Sequence, residues 1–235
     1  MNSEKLNAKV FLLAGGLGTR LKPFTLETPK PMMPINGKPI LEHVIMQLKS
    51  QGLTDIVIGI GYFGDKIEKY FKDGSSLGVD IKYSMEQIAL GTAGALKLAR
   101  ENFDEDFFFV NGDTLFDFDI SGIYTEHKTY KPIGTMGLIS VEDTSRYGVA
   151  FLDGKRITKF VEKPKEDIGS HLINAGVMML SPRVFDYIPA GHHSLEKEIF
   201  PVLIKDGSLN AVVCKGRLLQ CDTLELYEFA QKNWL

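Results

Sequence analysis

Val10-Phe11-Leu12-Leu13-Ala14-Gly15-Gly16-Leu17-Gly18-Thr19-Arg20 decides how this chain is read. A short apolar run predicts a buried strand, and it breaks at once into Gly15, Gly16 and Gly18. Glycine has no Cβ, so backbone N–H groups there can converge on phosphate oxygens. Arg20 and Lys30 follow, placed where fixed positive charge serves a polyphosphate. A dinucleotide fingerprint needs a further glycine where Leu21 stands, and a P-loop needs Gly-Lys-Ser/Thr where Gly18-Thr19-Arg20 stands, so neither motif fits.

Downstream, Leu41, Val44, Ile45 and Leu48 have helical spacing and stop at Gly52. Asp55-Ile56-Val57-Ile58-Gly59-Ile60 is short, apolar and β-branched, which predicts a buried parallel strand. A helix over 65–71 and a strand over 79–85 follow, then a small-residue loop at 86–96 running into a helix that continues to Arg100. Phe107-Phe108-Phe109-Val110 is too apolar for a wet face and ends at Asn111-Gly112-Asp113. An acid at the carboxyl end of a central strand is where open α/β sheets keep their chemistry. Strands are expected over 133–139, 149–151, 157–161, 173–180 and 209–213, and helices over 182–187, 194–205 and 223–234. The first half alternates strand and helix and the second is more antiparallel.

The expectation is an α/β protein of 235 residues with a mixed, mostly parallel sheet flanked by helices. It reads as one domain with halves 1–115 and 116–235. With 44% hydrophobic and 24% charged residues it is not a disordered or fibrous chain. A net charge of -3 argues against a nucleic-acid-binding surface. Cys214 and Cys221 fit core thiols in a reduced compartment better than a disulfide scaffold. Residues 1–9 lack the apolar core of a signal peptide, and no run approaches the about 18 apolar residues of a membrane span. The expected location is therefore cytoplasmic, with no membrane partner; homo-oligomer formation stays open. His43, His127, His171, His192 and His193 have neither metal-ligand spacing nor a paired nucleophile.

Residues 13–21, with Thr28-Pro29-Lys30-Pro31-Met32 and Gly37-Lys38-Pro39-Ile40-Leu41, resemble the signature of sugar-1-phosphate nucleotidylyltransferases. Leu90-Gly91-Thr92-Ala93-Gly94, Asn111-Gly112-Asp113, Tyr147-Gly148-Val149, Glu162-Lys163-Pro164, Asn174-Ala175-Gly176 and Ser194 to Pro201 continue it in the same order. The resemblance implies a Rossmann-like nucleotide-diphospho-sugar transferase fold. It also implies a reaction in which an NTP and a sugar 1-phosphate give an NDP-sugar and pyrophosphate, with Mg²⁺. Arg20, Lys30, Asp113 and Lys163 are then the catalytic group. Leu13, Ala14, Gly15, Gly16, Gly18, Thr19, Arg20, Glu86, Gly91 and Thr92 are expected on the nucleotide. Gly148, Glu162, Lys163, Asn174 and Glu196 are expected on the sugar phosphate, and Asp113 and Asp222 on the metal.

Some readings stay open at this level. Glu196 is either a sugar contact or the first-turn acid of a helix capped by Ser194. Successive strand side chains point to opposite faces, so Glu162 and Lys163 serve one ligand only if the strand ends or bends there. Near the C-terminus the family pattern Trp-x-Asp-Ile-Gly-Thr-Pro is replaced by 216–224, where an ungapped alignment puts Gln220 at the aspartate position. Either the register shifts to bring in Asp222, or the second metal ligand is lost and the chain is a regulatory relative that binds NDP-sugar. Asp117-Phe118-Asp119 also has the Asp-x-Asp spacing of glycosyltransferases. The 90–96 loop and the 174–201 region look most like mannose-1-phosphate guanylyltransferases; thymidylyl-, uridylyl- and cytidylyl-transferring relatives share most of these positions. No C-terminal hexapeptide-repeat β-helix is expected.

Overall fold

The computed structural model describes residues 6–16, 18, 21 and 23–234. Its strands in chain order are β1 (Val10–Leu13), β2 (Pro34–Ile35), β3 (Lys38–Pro39), β4 (Asp55–Ile60), β5 (Asp80–Met85), β6 (Phe107–Asn111) and β7 (Thr114–Phe116). They continue as β8 (Gly134–Ser140), β9 (Gly148–Asp153), β10 (Arg156–Glu162), β11 (Leu172–Leu180), β12 (Leu209–Val213) and β13 (Leu218–Gln220). The α-helices are α1 (Ile40–Ser50), α2 (Gly64–Phe71), α3 (Gly91–Leu98), α4 (Ser121–Tyr130), α5 (Phe200–Lys205) and α6 (Leu224–Asn233). Two compact units emerge: Met1–Ala89 with Val110–Asp117 and Arg217–Leu235, and Leu90–Phe109 with Phe118–Gly216.

In the first unit β1 pairs β4 and β4 pairs β5, all parallel, with Val10 opposite Ile56 and Asp55 opposite Asp80. Phe11, Leu12, Ile56, Ile58 and Ile60 are buried, as the β-branched run predicts. Leu41, Val44, Ile45 and Leu48 form the buried face of α1. Close approach explains one glycine here: a Cβ on Gly59 would fall 2.6 Å from the Phe11 ring.

The second unit departs from a mostly parallel sheet. β11 runs antiparallel to β8, β10 antiparallel to both β12 and β9, and the Ile173–Val149 pair joins β11 to β9. Among these pairs only β12 with β8 is parallel. Short hairpin-type connections such as Gly154 between β9 and β10 produce antiparallel neighbours, whereas parallel ones need a long crossover. The sheet is mixed, and the parallel description holds for β1, β4 and β5.

Besides the short strands β2, β3, β7 and β13, which the periodicity reading did not predict, three elements differ from it. Helix α4 emerges where no helix was expected, because Gly122 and the β-branched Ile123, Thr125 and Thr129 dilute its signal. It is started by Asp119, which accepts from the Ser121 N–H at 2.8 Å. Residues 194–205 do not form one regular helix: Leu195–Ile199 is a π-turn that passes into α5. Pro201 cannot donate the backbone hydrogen bond that a regular α-turn requires there. Residues 182–186 are a 3₁₀ turn.

Candidate active site

In the first unit, Lys30 is held in a 3₁₀ turn between Pro29 and Pro31, and its side chain is only 6% exposed. It is no solvated loop lysine. Its Nζ donates to Asp113 Oδ2 at 2.7 Å and also to Asp222 Oδ1. Burial alone would lower the ammonium's pKa, but the charges of Asp113 and Asp222 outweigh it and hold the group above its ordinary 10.5.

Main-chain geometry delivers both acids. Gly112 N–H donates to the Leu13 carbonyl at 2.9 Å, and a Cβ there would lie 2.9 Å from that oxygen, so glycine is needed for Asp113 to follow directly. Strand β13 pairs antiparallel with β7, with Gln220 opposite Thr114. Extending that register by one residue sets Asp113 across from Cys221, with Asp222 next. Thr223 then caps α6 by accepting from Leu226 N–H, which fixes the turn that carries Asp222. Gln220, by contrast, sits in the ladder with its side-chain oxygen buried and, among the described residues, without a hydrogen-bond partner. Asp222, and not Gln220, is the residue brought with Asp113 to Lys30.

The glycine loop borders this cluster. Gly18 has φ +57°, its carbonyl accepts from Thr25 Oγ1 at 2.8 Å, and a Cβ on it would lie 3.1 Å from Lys30 Cβ. Ala14 N–H is tied to the Gly59 carbonyl at 2.8 Å. Gly15 passes so close to Glu86 that a Cβ would fall 2.5 Å from its carboxylate, whereas around Gly16 the space is open. Leu13, Ala14, Gly15, Gly16, Gly18 and Glu86 therefore gather at the ends of β1 and β5. Thr19 and Arg20 lie outside the described residues.

In the second unit, β10 ends at Glu162 and Lys163 takes φ +49°, a left-handed conformation that costs a non-glycine residue about 1–2 kcal/mol. That twist breaks the strand alternation. Lys163 Nζ comes within 3.5 Å of Glu162 Oε1, and its N–H is held by the Tyr147 carbonyl at 2.9 Å. Gly148 lies opposite Glu162, where a Cβ would collide with the Phe160 ring and lie 2.9 Å from the Glu162 carboxylate. Burial raises the Glu162 pKa; Lys163 opposes that shift and the Glu196 charge adds to it. Asn174 Oδ1 accepts from Gly176 N–H at 2.9 Å beside an irregularity in β11.

Glu196 takes the first-turn position that the sequence allowed it. It lies in the first turn after the Ser194 cap, and its Oε2 accepts from Ser194 Oγ at 2.7 Å and Thr92 Oγ1 at 2.8 Å. Ser194, which motif reading took only as a helix start, also donates its hydroxyl to Glu196. Gly91 has φ +71°, and a Cβ on it would fall 2.5 Å from the His193 carbonyl oxygen.

Asp117 and Asp119 are spoken for. Asp117 accepts from Arg217 Nε and N, each at 2.5 Å, and Asp119 starts α4, so neither is a glycosyltransferase-type metal ligand. Burial pushes the Cys221 thiol up to about 12, with Lys30 opposing and the two aspartates adding; Cys214 rises to about 11. Both are unreactive core groups. No helix among the described residues is long and apolar enough to cross a membrane.

For a metal, the described residues hold no group of three or more His, Cys, Asp or Glu side chains suited to an ion. Asp113 and Asp222 nevertheless fit Mg²⁺, which is commonly held by one or two carboxylates with substrate phosphates and waters completing its shell. Their convergence on one ammonium already marks a place for positive charge.

Known proteins share this arrangement of sequence. Mannose-1-phosphate guanyltransferase beta-B of Xenopus laevis is 41% identical over 214 residues, covering 88% of this chain and 59% of that protein. The chain thus spans about three-fifths of the length of the curated relatives it matches. Among solved structures, a Bacillus anthracis protein described as a glucose-1-phosphate thymidylyltransferase, in complex with a sucrose, superposes with a TM-score of 0.87 at 30% identity, covering 96% of this chain and 94% of that one. HddC of Yersinia pseudotuberculosis, complexed with GMP-PN, gives 0.85 at 29% identity, covering 97% and 100%. Residues 9–223 match the Nucleotidyl transferase family, and the chain belongs to it.

Proposed function

We propose that the protein is a sugar-1-phosphate nucleotidylyltransferase that joins GTP and mannose 1-phosphate, or a related hexose or heptose 1-phosphate, into an NDP-sugar. The observation that carries this is the Lys30 ammonium shared by Asp113 and Asp222. A buried cation and two carboxylates beside a glycine loop supply what a polyphosphate reaction requires, which is positioning and charge neutralisation without a covalent nucleophile. An oxygen of the sugar 1-phosphate attacks the α-phosphorus in line. As that P–O bond forms, the bond to the β-phosphate bridging oxygen breaks, and its electron pair leaves on pyrophosphate.

The roles divide by unit. Gly15, Gly16 and Gly18 offer backbone N–H groups to the nucleotide, with Thr19 and Arg20 continuing the loop by family resemblance, and Glu86 beside the base. Lys30 and Arg20 neutralise charge on the α-phosphate and departing pyrophosphate; a preorganised cation in a dry site is worth on the order of 10²-fold or more in rate. Asp113 and Asp222 would hold Mg²⁺, which supplies Lewis-acid polarisation of the phosphates. In the second unit Gly91 is assigned to the nucleotide by family resemblance, Lys163 takes the sugar phosphate, and Glu162, Glu196, Asn174 and the space at Gly148 receive the sugar hydroxyls.

Guanylyl transfer is preferred because the curated relative named above bears the name mannose-1-phosphate guanyltransferase; the Bacillus anthracis neighbour supports thymidylyl transfer to glucose 1-phosphate as the second reading. A panel of NTPs against hexose 1-phosphates with Mg²⁺, read as pyrophosphate release, tests both. Release from no pair would leave the chain a non-catalytic NDP-sugar binder.

A further inference from the structure

Thr92 sits one residue into α3, and its hydroxyl has two partners, both in the segment 194–196. Oγ1 donates to Glu196 Oε2 at 2.8 Å and accepts from Leu195 N–H at 2.8 Å. The backbone around it is laced to the same segment: His193 N–H donates to the Leu90 carbonyl and Ala93 N–H to the His193 carbonyl, each at 2.9 Å. Ser194 Oγ gives Glu196 Oε2 its second hydroxyl donor at 2.7 Å. Two donors on one oxygen fix the rotamer of the carboxylate. Glu196 in turn acts electrostatically on the half-buried Glu162, to which Lys163 is also paired. The two carboxylates can accept from a polyol's hydroxyls, and the one ammonium is a cation for its phosphate.

We infer that Thr92 is a positioning residue for sugar 1-phosphate recognition, acting through Glu196, and that its hydroxyl does not donate to the nucleotide. This rests on the nucleotidylyl-transfer reading above. A single hydroxyl has one proton to donate, and here Glu196 takes it. Leu195 N–H occupies one of the same hydroxyl's two acceptor lone pairs.

The test is steady-state kinetics of purified Thr92→Val and Thr92→Ser with each substrate varied in turn. Valine keeps the shape and removes both hydrogen bonds, so the KM for sugar 1-phosphate should rise about 10- to 100-fold, the range for losing a hydrogen bond to a charged group. The KM for the NTP should stay within about 2-fold, and serine should restore the sugar value. Thr92→Val combined with Glu196→Gln should cost less than the product of the separate effects, because both remove one interaction. A rise in NTP KM, or an equal fall in kcat with both substrates and no KM split, overturns the inference. Wild-type protein that turns over no pair of substrates would instead defeat the functional reading; in that case calorimetric binding of a hexose 1-phosphate, weakened by Thr92→Val and restored by Thr92→Ser, still decides the role of Thr92.

Discussion

Replacing Lys30 with methionine is the perturbation with the largest expected consequence. Methionine fills a similar volume and removes the charge, leaving Asp113 and Asp222 facing each other. The Lys30 side chain is 6% exposed, Asp222 16% and Asp113 35%. Removing one member of a buried ion pair costs about 3–5 kcal/mol, and the partial exposure of Asp113 brings the expectation down to about 2–3 kcal/mol. For a chain of this length that is a fall of about 5–10 °C in Tm, measured by thermal or urea unfolding at pH 7. Mg²⁺ or Mn²⁺ should restore part of the loss, since a divalent cation can replace the ammonium between the carboxylates; at 10 mM, a Kd of about 1 mM gives about 1.4 kcal/mol. The pH dependence has a definite sign. Lys30 is raised above 10.5 in the folded state, so its contribution is fully present below pH 10.5 and is lost as pH rises through the higher folded value. Lys30→Met should flatten that alkaline limb. A variant with unchanged Tm and no cation response beyond that of wild type would refute the shared-ammonium account.

Three further outcomes follow from the same geometry. Asp222→Asn should reduce turnover by about 10²-fold or more, while Gln220→Ala, which touches only the ladder, should keep turnover within about 3-fold; the reverse pattern in a pyrophosphate-release assay would reject the register. Glu162→Gln should raise the KM for sugar 1-phosphate about 10-fold or more yet stabilise the protein at neutral pH. Burial holds the Glu162 pKa above 4.5 in the folded state, so wild-type stability falls as pH rises through that window, and unfolding curves from pH 4 to pH 7 should show the variant free of this decline.

What the sequence displayed and what it hid follow the range of the interactions. The apolar β1 and β4, the glycine break and the acid after β6 are local patterns, and each stands where periodicity and turn chemistry put it. The choice between Gln220 and Asp222 was not local. It depends on β13 finding β7, a pairing of Thr114 with Gln220 that no neighbouring residue specifies. Lys163 was half legible: a bend after Glu162 was required, but the left-handed φ that provides it is a strain held by the surrounding structure. Thr92 was placed with the nucleotide by its position in a motif, and only the fold brings its hydroxyl to Glu196. Helix α4 escaped because its composition disfavours a helix that packing against β8 and β12 supports.

The most direct test of the account is transfer of label from α-phosphate-labelled GTP to mannose 1-phosphate, followed with Mg²⁺ and again with excess chelator. The expected result is labelled GDP-mannose and pyrophosphate formed one to one, lost on chelation and lost in Asp222→Asn. Tight binding of an NDP-sugar by wild-type protein, with no labelled product from any NTP and sugar 1-phosphate, would contradict it.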